Sequence, residues 1–270
     1  GPGAMGCLFG AMLSKAARVV LIHYKEDYVR LLKDSGIIIE QQDGKQEVFR
    51  IPAVSEVRES SPKVDLAIIF TKSHQTRKAA KTARKVLKED GLALTLQNGL
   101  GNLEVMEEIL GKGIAVAGVT SHGATLLAPG HVRHAGKGPT HIAFGTRNDR
   151  LLKDILLTFN TAGIETEISH NLESLVWGKL IVNAGINALT AIFRVENGVL
   201  GTVPECEKLM AAAVEEAAAI TRALEIQLPY EDPLLQVKRV CKATAPNRSS
   251  MLQDVLKGSR TEIGSINRAI

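Results

Sequence analysis

Polar residues interrupt the largely apolar segment Trp177 to Thr190, which lies within a stretch, Leu172 to Phe193, whose composition predicts a helix. Lys179, Asn183 and Asn187 are spaced four residues apart, and at about 100° per residue they share one face of that helix. Asparagine is a poor helix former, and a buried polar group without a partner costs about 1–3 kcal/mol. A partner helix would explain a single asparagine, whereas a bound ligand explains the whole stripe better.

A lysine in such a stripe can serve as a general acid, because burial lowers its pKa toward neutral pH. Its positive charge also stabilises the oxyanion that forms when a carbonyl is reduced. Asn98 follows a predicted strand within Gln97-Asn98-Gly99 and could reach both a hydride donor and a substrate. Asn-Gly is equally a common turn dipeptide. The chemistry that these residues predict is a carbonyl reduction with Lys179 as the proton donor.

The sequence begins with a G-x-G-x-x-G motif, Gly1-Pro2-Gly3-Ala4-Met5-Gly6. In this motif Gly1 makes a tight turn, Gly3 lets the backbone approach a pyrophosphate, and Gly6 lets the next helix pack on a sheet. The phosphates would bind at the helix N-terminus. The motif is weak by itself, and a Gly-Pro start can also remain after cleavage of a tag. We expect a strand before Gly1 that the sequence lacks.

Apolar, β-branched stretches alternate with helical ones through the first part of the chain. The predicted strands lie near 18–22, 64–71, 92–96, 114–119 and 163–168, and the predicted helices near 26–35, 73–88, 102–110 and 149–161. This alternation is typical of an α/β fold with a Rossmann-type, doubly wound parallel sheet.

After residue 169 the pattern is almost wholly helical, with segments near 172–193, 204–224, 231–243 and 250–270. We therefore predict an NADP-binding domain over 1–168 and an all-helical domain for substrate binding and catalysis over 169–270. The ligand site is expected in a crevice between them, outside the carboxyl ends of the strands. Ser250 and Gln253 match a capping box, and by itself Glu262 is interpreted as a solvated acid on the last helix.

The residues after the second predicted strand bear on the cofactor. NAD-binding proteins tend to have an acid there that binds the ribose hydroxyls, whereas this chain has Lys25. A cation suits the 2′-phosphate of NADP, although a solvated turn explains Lys25 as well. Lys72, which follows the strand ending at Thr71, is a second basic candidate. The sequence favours NADP over NAD.

Composition excludes several classes of protein. The net charge of +4 comes from 33 basic and 29 acidic residues without a run of like charge, which disfavours nucleic-acid binding. The continuous apolar stretches are shorter than the about 18 residues that a membrane helix needs, and because no leader of charged, apolar and then small residues opens the sequence, we do not expect secretion. The spacing of His122, His131 and His134 matches no zinc site, and we interpret them as surface or backbone-bonded residues. The expectation is a cytoplasmic protein without metal, membrane or nucleic-acid partners.

Taken together, these residues resemble the ketopantoate reductase (2-dehydropantoate 2-reductase) family over nearly the whole chain. The resemblance is carried by residues 1–6, Lys72, 97–99, 121–124, the Lys179–Asn187 stripe, 249–254 and 261–262. It implies an N-terminal Rossmann domain, a helical C-terminal domain, and reduction of 2-dehydropantoate to (R)-pantoate by NADPH in pantothenate and coenzyme A biosynthesis. Further helix after Asn267, a length of about 300 residues for such a two-domain protein and a homodimer are also expected.

The resemblance also implies residue roles. Lys179 would be the general acid, and Glu262 would bind the substrate hydroxyl, orient the lysine and contact the cofactor. The other roles are substrate binding by Asn183, Asn187 and Ser250, bridging of substrate and cofactor by Asn98, and cofactor binding by Gly1, Pro2, Gly3, Ala4, Met5, Gly6, Lys72 and Lys25, the last standing where an arginine is expected. Two alternatives stay open: a reductase of another branched 2-oxo acid, and a non-catalytic NADP sensor, which would be expected to lose Lys179 or Glu262.

Overall fold

The computed structural model describes residues 1–270, which divide into two compact units. One unit comprises 1–97 and 102–170, and the other comprises 98–101 and 171–270. The strands are β1 (Leu21–Ile22), β2 (Ile37–Glu40), β3 (Gln46–Phe49), β4 (Ala53–Val54), β5 (Val64–Ile69), β6 (Leu87–Thr95), β7 (Ala115–Thr120), β8 (Gly123–Ala128), β9 (His131–Gly136), β10 (Thr140–Ala143) and β11 (Thr166–Ser169). The helices are α1 (Ala4–Leu13), α2 (Glu26–Ser35), α3 (Thr76–Val86), α4 (Asn102–Leu110), α5 (Asp149–Thr161), α6 (Leu172–Phe193), α7 (Pro204–Ala223), α8 (Pro233–Ala243) and α9 (Ser250–Leu256), with 3₁₀ turns at Ser73–Gln75 and Asn197–Gly201.

The first unit has a five-stranded sheet in the order β11-β10-β7-β6-β5. Strands β5, β6 and β7 are parallel, as are β10 and β11, which confirms the predicted α/β class. The β7–β10 pair is antiparallel, because the chain returns through the β8–β9 hairpin and adds β10 alongside β7. The hairpin completes a second sheet, β3-β2-β9-β8, and β1 pairs only with the two residues of β4. Strands β2, β3 and β4 were not predicted from the sequence.

Helix α1 lies between two apolar cores of this unit. Phe9 packs with Phe159 and with the strand residues of the five-stranded sheet, whereas Cys7 and Leu8 pack against β2 and β9. The side chains of Cys7, Leu8 and Phe9 on α1 are almost completely buried. A helix that is apolar on every side is a buried helix, so α1 is a core helix of this unit.

The second unit is organised around α6. One side of this helix, with Ile181 and Ile186, packs on α7 and α8, and the other side, with Trp177 and Leu180, packs on α9 and the C-terminal turns. Its best 18-residue window has a mean hydropathy of 1.4, and 56% of that window is buried. This helix was not predicted to be long enough for a membrane span, because its continuous apolar stretches are short. Length and composition are weak evidence for a membrane span, because buried core helices have both.

The last predicted helix, 250–270, was wrong at its C-terminal end. α9 ends at Leu256, where Gly258 adopts a φ of +62°. The N–H of Gly258 donates to the carbonyl of Val255 at 3.1 Å, and that of Ser259 donates to Asp254 at 2.8 Å. These two bonds form a Schellman motif, which ends a helix by satisfying its last carbonyls. The residues that follow form turns.

The predicted capping box at Ser250 was also wrong. The N-cap of α9 is Ser249, whose Oγ accepts from the N–H of Leu252 at 3.1 Å, and Ser250 is the first helical residue. The hydroxyl of Thr190 on α6 also donates to Ser249 Oγ, at 2.7 Å. Ser249 therefore links α9 to α6, and Ser250 has no capping role.

The Ser249→Ala substitution is expected to lower the free energy of unfolding by about 1–2 kcal/mol, because it removes the cap and leaves buried Thr190 without this acceptor. Urea unfolding followed by circular dichroism measures the change. The matched control is Ser250→Ala, which should stay within about 0.5 kcal/mol of the parent protein. Equal losses for the two variants would contradict the assignment of the cap.

Candidate active site

The predicted stripe is present on α6 in the second unit. Lys179 and Asn183 are half-buried, and Asn187 is 6% exposed. The side-chain nitrogen of Asn183 is buried and has no hydrogen-bond partner. Because an unsatisfied buried donor is costly, this amide is suited to bind a group that the chain itself does not supply.

The electrostatic surroundings of Lys179 match those of a general acid. Burial lowers the pKa of its ammonium from 10.5 to about 8, and the negative charge of Glu262 opposes part of that shift. A pKa near neutrality allows a lysine to be protonated and still give up its proton readily. The fold thus places the lysine that the sequence singled out within electrostatic range of the carboxylate that the resemblance implied.

Glu262 is not the solvated helical acid that its local sequence indicated. It is 7% exposed and lies in the turns after α9. Its carbonyl accepts from the N–H groups of Ser265 and Ile266, each at 3.1 Å. The side chain of Ile266 is buried in the cluster that contains Trp177 and Leu180. The buried position of Glu262 therefore depends on the tertiary packing of the C-terminal turns against α6.

The Asn98 loop is held by the same C-terminal segment. The N–H of Leu100 donates to the carbonyl of Ser265 at 2.9 Å. Gly99 has a φ of +82°, and a Cβ there would overlap that carbonyl oxygen. Position 99 needs glycine because of its positive φ and because the carbonyl oxygen lies too close for a side chain. This contact brings half-buried Asn98 into the unit that carries Lys179, Asn183, Asn187, Ser250 and Glu262.

Two residues that contact α6 in this unit were not predicted from the sequence. Asn267 donates from Nδ2 to the carbonyl of Ala184 at 3.1 Å, while its Oδ1 is buried without a partner. Tyr230 donates from its hydroxyl to the carbonyl of Gly178 at 2.8 Å. Both bonds act on the α6 backbone next to stripe residues. An asparagine in a turn and a tyrosine after a proline carry no local signal of such contacts.

The glycine motif forms an uncapped helix start in the first unit. Gly3 is the N-cap of α1, no side chain caps it, and the first turn carries no acid. A Cβ at Gly3 would meet nothing within 4 Å, whereas one at Gly6 would overlap the carbonyl oxygen of Gly1. Free N–H groups and an open backbone fit the pyrophosphate of a dinucleotide. The donor set of residues 1–6 therefore fits a nicotinamide dinucleotide.

The two basic candidates lie in the same unit. Lys25 is exposed directly after β1 and is the N-cap of α2. Its Nζ is 5.9 Å from the centroid of the Tyr24 ring. Lys72 is half-buried at the start of the 3₁₀ turn Ser73–Gln75. Their roles toward a cofactor remain predictions.

Two of the histidines are not surface residues, although His134 is bonded to the backbone of Gly136 in agreement with the interpretation. His122 and His134 are buried, and Nδ1 of His122 lies 3.0 Å from Nε2 of His134. Burial lowers the pKa of His122 to about 4, and it also lowers the pKa of His134. No group of three or more His, Cys, Asp or Glu side chains is arranged to hold a metal ion.

An α/β unit with a dinucleotide motif, together with a helical unit that carries a buried lysine beside a carboxylate, defines a dehydrogenase-like oxidoreductase. The family model described as ketopantoate reductase PanE/ApbA matches residues 1–147, and the model of its C-terminal part matches 171–270. The chain belongs to the ketopantoate reductase family.

Individual relatives agree with this assignment. The 2-dehydropantoate 2-reductase of Halobacterium salinarum is 35% identical over 272 residues, covering 100% of this chain and 89% of the relative. That of Pyrococcus abyssi is 34% identical, covering 100% and 88%. A PanE/ApbA family ketopantoate reductase from Ralstonia eutropha has a TM-score of 0.88 at 31% identity, covering 99% and 87%. D-mandelate dehydrogenase with NADH and anilino(oxo)acetate has a TM-score of 0.89 at 29% identity, covering 100% and 88%.

The position of Lys179 also depends on tight packing at Gly178. A Cβ there would lie 2.7 Å from Cγ of Pro229, so Gly178→Ala is expected to lower the free energy of unfolding by about 1–3 kcal/mol through overpacking. Urea unfolding measures the loss. Gly264→Ala is the control, because a Cβ at Gly264 meets nothing within 4 Å. A neutral Gly178→Ala would show that the loop around Pro229 yields freely.

Proposed function

We propose that this chain reduces 2-dehydropantoate to (R)-pantoate with NADPH as the hydride donor. The observation that carries the proposal is the Lys179 ammonium on α6, whose pKa burial lowers to about 8 beside the buried Glu262 carboxylate. The relatives named 2-dehydropantoate 2-reductase support the choice of substrate. The reaction is a step of pantothenate and coenzyme A biosynthesis, which we place in the cytoplasm and assign to a homodimer.

The residues that hold the cofactor follow from the motif and its surroundings. Residues 1–6 bind the pyrophosphate through the free N–H groups at the start of α1. Lys25 and Lys72 supply positive charge for the phosphates, and Asn98 and Glu262 contact the cofactor as well. When bound, the nicotinamide supplies a hydride to the C2 carbonyl carbon of the substrate.

Lys179 supplies the proton that balances this hydride. Its ammonium faces the carbonyl oxygen, stabilises the charge that develops there, and transfers a proton to that oxygen. The neutral amine is then reprotonated from solvent. Glu262 keeps the pKa of Lys179 from falling further, since its charge favours the ammonium. Asn183, Asn187 and Ser250 bind the carboxylate and hydroxyl groups of the substrate, and the unpartnered nitrogen of Asn183 is one donor for them.

A second candidate is an NADH-dependent reductase of another 2-oxo acid. The observation that favours it is the TM-score of 0.89 with D-mandelate dehydrogenase, whose structure contains NADH and anilino(oxo)acetate. The same Lys179 chemistry serves either substrate, because both reactions reduce a carbonyl next to a carboxylate. A non-catalytic sensor is less favoured, because the chain keeps both Lys179 and Glu262.

Steady-state oxidation of the cofactor tests the proposal and its rival together. We expect kcat/KM to be highest for NADPH with 2-dehydropantoate, with NADH, 2-oxoisovalerate and phenylglyoxylate as the comparison reagents. Preferred turnover of NADH with phenylglyoxylate would replace the substrate and cofactor assignments and keep the mechanism. Absence of turnover with intact NADPH binding would support the sensor.

The Lys179→Met substitution keeps the length and apolar volume of the side chain and removes the acid. We expect kcat to fall by at least about 100-fold while NADPH binding, measured by fluorescence titration, is unchanged. The matched control is Lys208→Met, an exposed lysine on α7, which should retain the parent kcat. Near-parental turnover in Lys179→Met would remove the proposed proton donor.

The pH dependence of kcat reports the same group. The protonated lysine is the active form, so kcat should hold below pH 8 and decline as pH rises through the pKa of about 8. Glu262→Gln removes the charge that favours the ammonium, and the decline should therefore begin at lower pH. A basic limb that does not move would show that Glu262 does not act on Lys179 electrostatically.

A further inference from the structure

A cavity of about 300 Å³ lies within the first unit, and none of its lining residues belongs to the proposed substrate or cofactor site. Its floor is one face of α1, where Leu8, Ala11 and Met12 stand at helical spacing. Ile39 of β2 and Phe49 of β3 also line it. Pockets for small molecules span about 300–1,000 Å³, so this cavity fits a ligand at the small end of that range.

The buried histidine pair forms a polar wall of the same cavity. His122 and His134 both line it, and Nε2 of His122 is buried without a hydrogen-bond partner. Burial lowers the pKa of both rings most, and the charge of Lys137 adds to the shift, which places this ammonium near the pair. Because an unsatisfied buried polar atom costs free energy, the wall is suited to a polar group that a ligand brings.

Two opposite charges border the cavity without pairing. Lys137 and Glu165 both line it, both are exposed, and neither forms a salt bridge. Lys15 and Glu47, which also line the cavity, neutralise each other in an ion pair at 3.1 Å. A single exposed charge is an ordinary solvated group. A cation and an anion beside one apolar cavity, by contrast, complement a zwitterion with an apolar body.

We propose that this cavity is a binding site for a free amino acid with an apolar side chain. Lys137 binds the carboxylate of the amino acid, and Glu165 binds its ammonium group. The apolar side chain packs on Leu8, Ala11 and Met12 of α1. Charge-assisted bonds orient the charged end, and burial of the apolar end adds affinity. The inference goes beyond the proposed reduction and does not depend on it, because the two sites share no residue.

Leucine and two analogues that each lack one charge test the site. The analogues are 4-methylpentanoate, which lacks the ammonium group, and 3-methylbutylamine, which lacks the carboxylate. An NMR titration that follows the ring signals of His122 and His134 locates the binding in this cavity. Leucine should shift both sets of signals, and each analogue should bind about tenfold more weakly. Glycine, which has no apolar side chain, should leave the signals in place.

Two charge variants assign the ends of the ligand. Lys137→Met should weaken leucine about tenfold and leave 3-methylbutylamine unchanged, because the amine has no carboxylate to lose a partner. Glu165→Gln should weaken leucine similarly and leave 4-methylpentanoate unchanged. The matched controls are Lys112→Met and Glu104→Gln, which alter exposed residues outside the cavity and should bind leucine as the parent does. Circular dichroism verifies that each variant is folded.

The outcomes separate this inference from the proposed function. If leucine at tens of millimolar leaves the ring signals of His122 and His134 in place, the site is overturned, while reduction of 2-dehydropantoate stands. If leucine and 4-methylpentanoate bind equally well, the assignment of a zwitterion is overturned. Parental binding of leucine by both charge variants would overturn the roles of Lys137 and Glu165. Selective weakening by each variant supports the site even where 2-dehydropantoate is not turned over.

Discussion

The electrostatic balance at Lys179 is the constraint on which the catalytic half of this protein depends. An ammonium group is costly to remove from water, and the cost appears as a pKa lowered to about 8. The charge of Glu262 offsets part of that cost. Lys179 is desolvated because it lies on an apolar helix. It remains protonated near neutral pH because a carboxylate is held nearby. The long buried helix α6 and the C-terminal turns meet these two requirements.

Backbone hydrogen bonds, together with bonds from side chains outside the stripe, fix the parts of this arrangement. The carbonyl of Ser265 accepts from Leu100 and so holds the Asn98 loop, while the carbonyl of Glu262 closes the turn in which Ser265 lies. At the other end of the stripe, the Thr190–Ser249 bond joins α6 to the start of α9. Within the stripe, the side-chain nitrogen of Asn183 has no hydrogen-bond partner and can donate to a ligand.

In the first unit, a main-chain carbonyl of the glycine motif likewise holds a neighbouring side chain. The carbonyl of Pro2 accepts from Tyr28, and the rings of Tyr28, His23 and Tyr24 then reach the surface in contact with one another. The motif that fits a pyrophosphate and the exposed ring after β1 are thus parts of one rigid assembly.

Local sequence determined the features that depend on periodicity and on residue type. The four-residue spacing of Lys179, Asn183 and Asn187 places them on one helix face in any context, and alternating strand and helix patterns define an α/β unit. Only the tertiary structure decided that Glu262 is buried, that Ser249 and not Ser250 caps α9, that His122 pairs with His134, and that Lys78 joins Lys25 at Tyr24. Except for the Ser249 cap, whose Oγ accepts from the nearby N–H of Leu252, each of these depends on contacts between residues well separated in the chain. Burial and charge proximity arise from such contacts, and no local pattern of residues encodes them.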